Sequence, residues 1–176
     1  MSAGAIGEAS DFWILHARGT RGGARTRRRA FDDLVARVIA APGVALFDAV
    51  EAGVPTELVH VIAGATGQSA GSVMDLIGVS PTTFRRKEEA REPLPEVAGH
   101  RVMSFLRVTA TLRRLLDESG DVERLREFDL DAWVAAWMVE PLPELGGKTP
   151  AEMLKNPEGL RAVEQVLERM RGGLPA

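Results

Sequence analysis

The chain has 176 residues, 45% of them hydrophobic and 27% charged. That suits one compact unit or two small ones, and it excludes both a large multidomain enzyme and wholesale disorder. It contains no cysteine, and its three histidines, His16, His60 and His100, are far apart; this excludes a disulfide framework, a thiolate nucleophile and a local metal motif such as H-E-x-x-H.

The net charge of −3 is unevenly spread, with seven arginines against four acids in residues 1–41 and eleven acids against seven bases in 120–176. The opening MSAGAIGEASDFWILHARG has no positive start followed by a sustained apolar core. The longest uncharged stretch, 58–74, is interrupted by polar side chains and three glycines. No signal peptide or membrane span is expected, and the expected location is cytoplasmic. Arg18, Arg21, Arg25, Arg27, Arg28 and Arg29 crowd into twelve residues without apolar periodicity. Residues 1–30 therefore read as a basic flexible arm, either a solvated leader or an attractor of phosphate, with Arg27, Arg28 and Arg29 as candidate DNA contacts.

From Phe31 the pattern is helical. Phe31, Leu34, Val35, Val38 and Ile39 share one face, and Pro42-Gly43 stops that helix. VALFDAVEA predicts a short helix ending at Gly53, and a third is expected from near Thr56 into the Gly64 to Gly67 region. Ser69 then caps a helix bearing Val73, Leu76 and Ile77, Gly78 permits a turn, and Ser80-Pro81 opens another helix. Residues 69–90 thus read as a helix-turn-helix in which Val73, Ile77, Val79 and Phe84 meet. Met74 stands where such motifs favour alanine, and Lys87 where they favour an apolar residue. If the motif binds DNA, Thr82, Thr83, Arg85, Arg86 and Lys87 lie on the helix entering the major groove; the alternative is a motif used for packing or dimerisation.

Pro93 and Pro95 precede a long helix predicted over 96–118, whose Val102, Phe105, Thr109, Leu112 and Leu116 form a seam for a second copy or for the domain's own core. The domains expected are the arm 1–30, a helical domain 31–119 and a C-terminal domain 120–176. In the last, Leu130, Trp133, Val134, Trp137 and Met138 share a helix face, as core residues or as interface anchors. Thr149-Pro150-Ala151-Glu152 is a capping box, and Asn156-Pro157 opens a final helix bearing Leu160, Val163, Val166, Leu167 and Met170 that stops at Gly172-Gly173. GGKT resembles the end of a phosphate-binding loop, but position 142 is leucine and no strand precedes it, so nucleotide binding is rejected. No catalytic constellation, metal site or cofactor is expected, and the fold class is all-α.

The helix DAWVAAWM, the segment P-x-x-x-LGGKTPAEML and the closing NPEGL-x-x-V-x-x-x-L resemble the toxin-binding domain of Xre/MbcA/ParS antitoxins, here over 131–170. An Xre-like helix-turn-helix precedes that domain in the family, as it does here, and the resemblance covers about 44–172. It implies an antitoxin, without catalysis of its own, that covers the NAD cleft of a RES-domain toxin, either an NADase or an ADP-ribosyltransferase. It further implies a homodimer within a hetero-oligomeric complex that binds operator DNA to repress its own operon. Carried onto this chain, Leu145, Gly146, Gly147, Lys148 and Thr149 are the loop facing the toxin, with Arg169 and Arg171 reaching the cleft. The competing function is a stand-alone transcriptional regulator whose tail dimerises or senses a ligand.

Overall fold

A computed structural model describes residues 11–14, 23–119 and 128–171. The arm positions 1–10 and 15–22, with Arg18 and Arg21, the break after Ser119 and the closing Gly172-Gly173 lie outside the described residues. No strand occurs among the described residues; one antiparallel bridge joins Leu142 to Lys148. The molecule is all-α and divides into two compact units between Met103 and Ser104, inside a long helix.

The first unit begins with α1, Ala24–Ala40, which starts seven residues before Phe31. Residues 24–30 are therefore helical, which corrects the flexible-arm reading over that stretch. The physical reason lies in Arg27, one helical turn ahead of Phe31. Its methylenes cover Gly64, where an added Cβ would stand 2.6 Å from Arg27 Cδ, so the arginine stem continues the apolar stripe. Arginine is also a good helix former, so the run carries little propensity cost.

Phe31, Leu34, Val35 and Val38 are buried where α1 packs along α3, Glu57–Thr66, which buries Leu58, Val59, Val61 and Ile62. Between them lies α2, Gly43–Glu51, with only Ala49 buried and both Val44 and Phe47 exposed. Upstream, Trp13 is buried and its indole N–H donates to the Ala49 carbonyl at 2.7 Å. Arg37 donates to the Phe12 carbonyl and lies over the Phe12 ring. No periodicity announces this anchor.

Next come α4, Ala70–Ile77, and α5, Pro81–Ala90. The long helix α6, Glu96–Ser119, contributes its first turns to this unit and the remainder to the second. Val102, Phe105, Thr109 and Leu112 of its predicted seam are buried within the single chain, which favours the core reading, while Leu116 is half-buried.

The second unit adds α7, Leu130–Trp137, a 3-10 turn at Pro143–Leu145, α8, Pro150–Met153, and α9, Pro157–Arg171. Asp129 caps α7 by accepting from the Ala132 N–H at 3.1 Å. Asp131, 3% exposed, is bound by Arg113 at 2.8 Å, which ties α7 to α6. Gly159 sets the spacing of α9, since an added Cβ would lie 1.8 Å from the Met153 carbonyl oxygen. Val163, Val166 and Leu167 are buried as the spacing predicts, whereas Leu160 and Met170 are half-buried.

Trp137 is buried and stacks on half-buried Trp133 at 6.0 Å. Trp137 is thus a core residue, while Trp133 lines a pocket of about 480 Å³ with Leu116, Leu130 and Met170.

Candidate functional site

Two surfaces carry the residues singled out in the sequence, one in each unit. In the first, the Ser69 hydroxyl accepts from the Ser72 N–H at 3.0 Å and starts α4, which ends at Gly78 with φ 70°. Ser80 accepts from the Thr83 N–H at 3.2 Å, donates its own hydroxyl to Thr83 Oγ1 at 2.9 Å and, with Pro81 at the first position, starts α5. Val73, Ile77, Val79 and Phe84 are all buried, as the helix-turn-helix pattern requires.

Arg101, on α6, closes the turn by donating to the Ile77 carbonyl at 3.2 Å, and its guanidinium stands where a side chain on Gly78 would go. The sequence reading missed this residue, which is 23 positions from Gly78 and unmarked by any local pattern.

On α5, Thr82, Arg85 and Arg86 are exposed and Thr83 is half-buried. Lys87 is half-buried, with its ammonium on Glu92 at 2.8 Å. That geometry explains how a lysine occupies a position favouring an apolar residue, because the stem packs and the charge turns outward. The bond to Lys87 holds the Glu92 carboxyl below the ordinary glutamate value. Glu88 is engaged by His60 at 2.7 Å, and the His60 ring meets Phe84 edge-on. Two of the helix's charges are thus absorbed internally, leaving Arg85 and Arg86 as its outward cations. Of the arm arginines, Arg29 is exposed, Arg28 half-buried, and Arg27 packed on α3.

In the second unit, a loop runs from Leu142 to Thr149. Gly146 and Gly147 are both left-handed, with φ 66° and 76°, a pairing that glycine adopts without steric cost. The loop folds its own donors inward. The N–H of Leu142 reaches the Lys148 carbonyl at 3.1 Å, those of Leu145 and Gly147 reach the Leu142 carbonyl at 3.0 and 2.9 Å, and that of Gly146 reaches the Pro143 carbonyl at 2.9 Å. Lys148 N–H bonds the Leu145 carbonyl at 3.3 Å. Thr149 donates its N–H to Glu152 at 2.8 Å while its hydroxyl accepts from the Glu152 N–H at 3.1 Å, completing the capping box. The backbone and side-chain bonds from Thr149 hold the Glu152 carboxyl below the ordinary value.

Leu145 is buried and anchors this loop, whereas Gly146, Gly147 and Lys148 are exposed and Thr149 half-buried. Nothing lies within 4 Å of a Cβ added to either glycine. Arg169 is exposed on the last turn of α9, and Arg171 is held between Glu118 at 2.9 Å and Glu168 at 3.8 Å. Among the described residues, no group of three or more side chains is placed to hold a metal, and no helix is long and apolar enough to cross a membrane.

Two family models match the chain in succession. The antitoxin Xre-like helix-turn-helix domain matches residues 45–107, and the antitoxin Xre/MbcA/ParS C-terminal toxin-binding domain matches 111–173. A curated protein called Prs ADP-ribosylating antitoxin, from Sphingobium sp. (strain YBL2), is 28% identical over 101 residues. That match takes in 57% of this chain and 62% of the relative, so the chain spans less than two thirds of that relative's length. With the helix-turn-helix and the toxin-binding domain both matched and folded in that order, the chain belongs to the Xre/MbcA/ParS antitoxin family.

Proposed function

We propose that this antitoxin binds a RES-domain toxin and inhibits it by occluding its NAD-binding active site. The observation that carries the reading is the match of the toxin-binding family to the unit that presents the Leu142 to Thr149 loop. Leu145 and the capping box hold the loop in one shape, so Gly146, Gly147, Lys148 and Thr149 meet a partner with little ordering cost. Arg169, exposed on the last turn of α9, is free to reach the cleft, while Arg171 would have to leave Glu118 and Glu168 to take part. The relative's name couples an antitoxin with ADP-ribosylation, which favours a target that consumes NAD by transfer or by hydrolysis.

The helix-turn-helix unit, in this reading, binds operator DNA and represses the antitoxin's own operon in the cytoplasm. Thr82, Arg85 and Arg86 are exposed on α5, with Thr83 and Lys87 beside them and the arginines of α1 as phosphate contacts. Two exposed apolar residues at helical spacing, Val44 and Phe47, support a homodimer, which a two-fold operator requires. The chain supplies no catalytic group of its own to this function.

The test is co-expression with the product of the adjacent reading frame. The reading expects a stable complex and relief of toxicity, together with retardation of the operon's promoter fragment. Relief of neither growth arrest nor NAD loss would overturn it.

A further inference from the structure

The loop's hydrogen bonds define what it can offer a partner. The N–H groups of Leu142, Leu145, Gly146, Gly147, Lys148 and Thr149 are all used within the chain. The carbonyls of Leu142, Pro143, Leu145 and Lys148 accept those bonds, and the Thr149 carbonyl accepts from Met153. What remains unbonded is the carbonyls of Glu144, Gly146 and Gly147, with one N–H, that of Glu144. Along this segment Glu140 and Glu152 are exposed and Glu144 is half-buried, against two exposed cations, Lys148 and Lys155, both of which act on the Glu152 carboxyl.

This balance inverts that of a phosphate-binding loop. Such a loop turns successive N–H groups outward to meet an anion. Here the same glycine-rich composition turns carbonyls outward and closes the donors inside.

Resting on the antitoxin reading above, we infer that this loop is an acceptor surface that docks on guanidinium and ammonium groups lining the toxin's cleft. The carbonyl oxygens of Gly146 and Gly147, with the flanking carboxylates, occupy positions that the cleft otherwise offers to the phosphate oxygens of its dinucleotide. Three arguments commit the occupant to a cationic protein surface. The loop lies inside the matched toxin-binding domain, residues 111–173. Its free groups are acceptors in excess. The space outside both glycines is open, so neither glycine is required there for packing against the chain itself.

The sign of the charge effects tests this directly. Binding of the purified chain to a RES-domain toxin that it inhibits is measured by calorimetry over a series of salt concentrations. For the double variant Glu140→Gln/Glu144→Gln, the inference expects at least tenfold weaker binding and a shallower salt dependence. Lys148→Gln is expected to bind as tightly as the wild type or more tightly. Gly147→Asn keeps a left-handed backbone that asparagine tolerates and places an amide over the docking face, so tenfold weaker binding is expected with an unchanged melting temperature. If the Asn variant melts early, the charge variants decide alone. Weakening by Lys148→Gln with indifference to the two glutamate changes would mean an anionic partner surface and would overturn the inference. A wild-type chain that forms no complex would instead overturn the antitoxin reading, and the inference with it.

Discussion

The two units each turn the chain on a left-handed glycine, and the surroundings of those glycines are opposite. Gly78, in the helix-turn-helix, has the Arg101 guanidinium in the space a side chain would need, 1.7 Å from an added Cβ. Gly146 and Gly147 have nothing within 4 Å. In the first unit the missing side chain makes room for an internal bond that sets one helix against the next. In the second it leaves a backbone surface bare. The same residue type therefore serves rigidity at the Gly78 turn and access in the Gly146-Gly147 loop.

Substitutions at the glycines separate these uses, and the largest effect belongs to a third glycine. Gly159→Ala sets a methyl against the Met153 carbonyl, a backbone atom that cannot swing aside, so α9 must retreat from α8. The expected cost is about 3 kcal/mol, the upper end of overpacking penalties, read as a lower urea midpoint. Gly78→Ala is expected to cost about 2 kcal/mol, roughly half from left-handed strain and half from the displaced Arg101 bond to Ile77. A double-mutant cycle with Arg101→Ala checks this: the two losses should fail to add. Gly147→Ala carries the strain alone and is expected to cost about 1 kcal/mol. Equal costs at Gly78 and Gly147 would erase the distinction between the two turns.

The smallest effect is a pH dependence at the capping box. Thr149 lowers the folded pKa of Glu152, so its contribution is fully present above the ordinary glutamate value and is lost as pH falls through the folded one. The Thr149 amide should lose protection on acidification through that range. In Glu152→Gln its exchange should show no step there.

What was legible in the sequence was local. Ser69, Ser80 with Pro81, and Thr149 with Pro150 and Glu152 announce helix starts, because a cap needs only a side chain and a backbone N–H three residues on. The apolar stripes of α1, α4 and α9 were equally readable. The start of α1 is misplaced by the sequence pattern because Arg27 counts as charge in a periodicity scan, although the three methylenes of its stem lie on Gly64. Arg101 over Gly78 and Trp13 on Ala49 were illegible because each contact spans more than twenty residues. In the LGGKT loop the spacing of the glycines was visible, but the direction of each N–H follows from two successive positive φ angles, which composition does not specify. That direction is what separates an anion-binding loop from an acceptor surface.

In the proposed function the second unit covers a toxin's NAD cleft. That reading is tested most sharply by the rate of NAD consumption by a RES-domain toxin as this chain is added in increasing molar ratio. Turnover is expected to fall linearly to zero at a fixed stoichiometry, and to be retained at sub-saturating concentrations of the Glu140→Gln/Glu144→Gln chain. Full NAD turnover by a toxin shown to be saturated with the chain would contradict it.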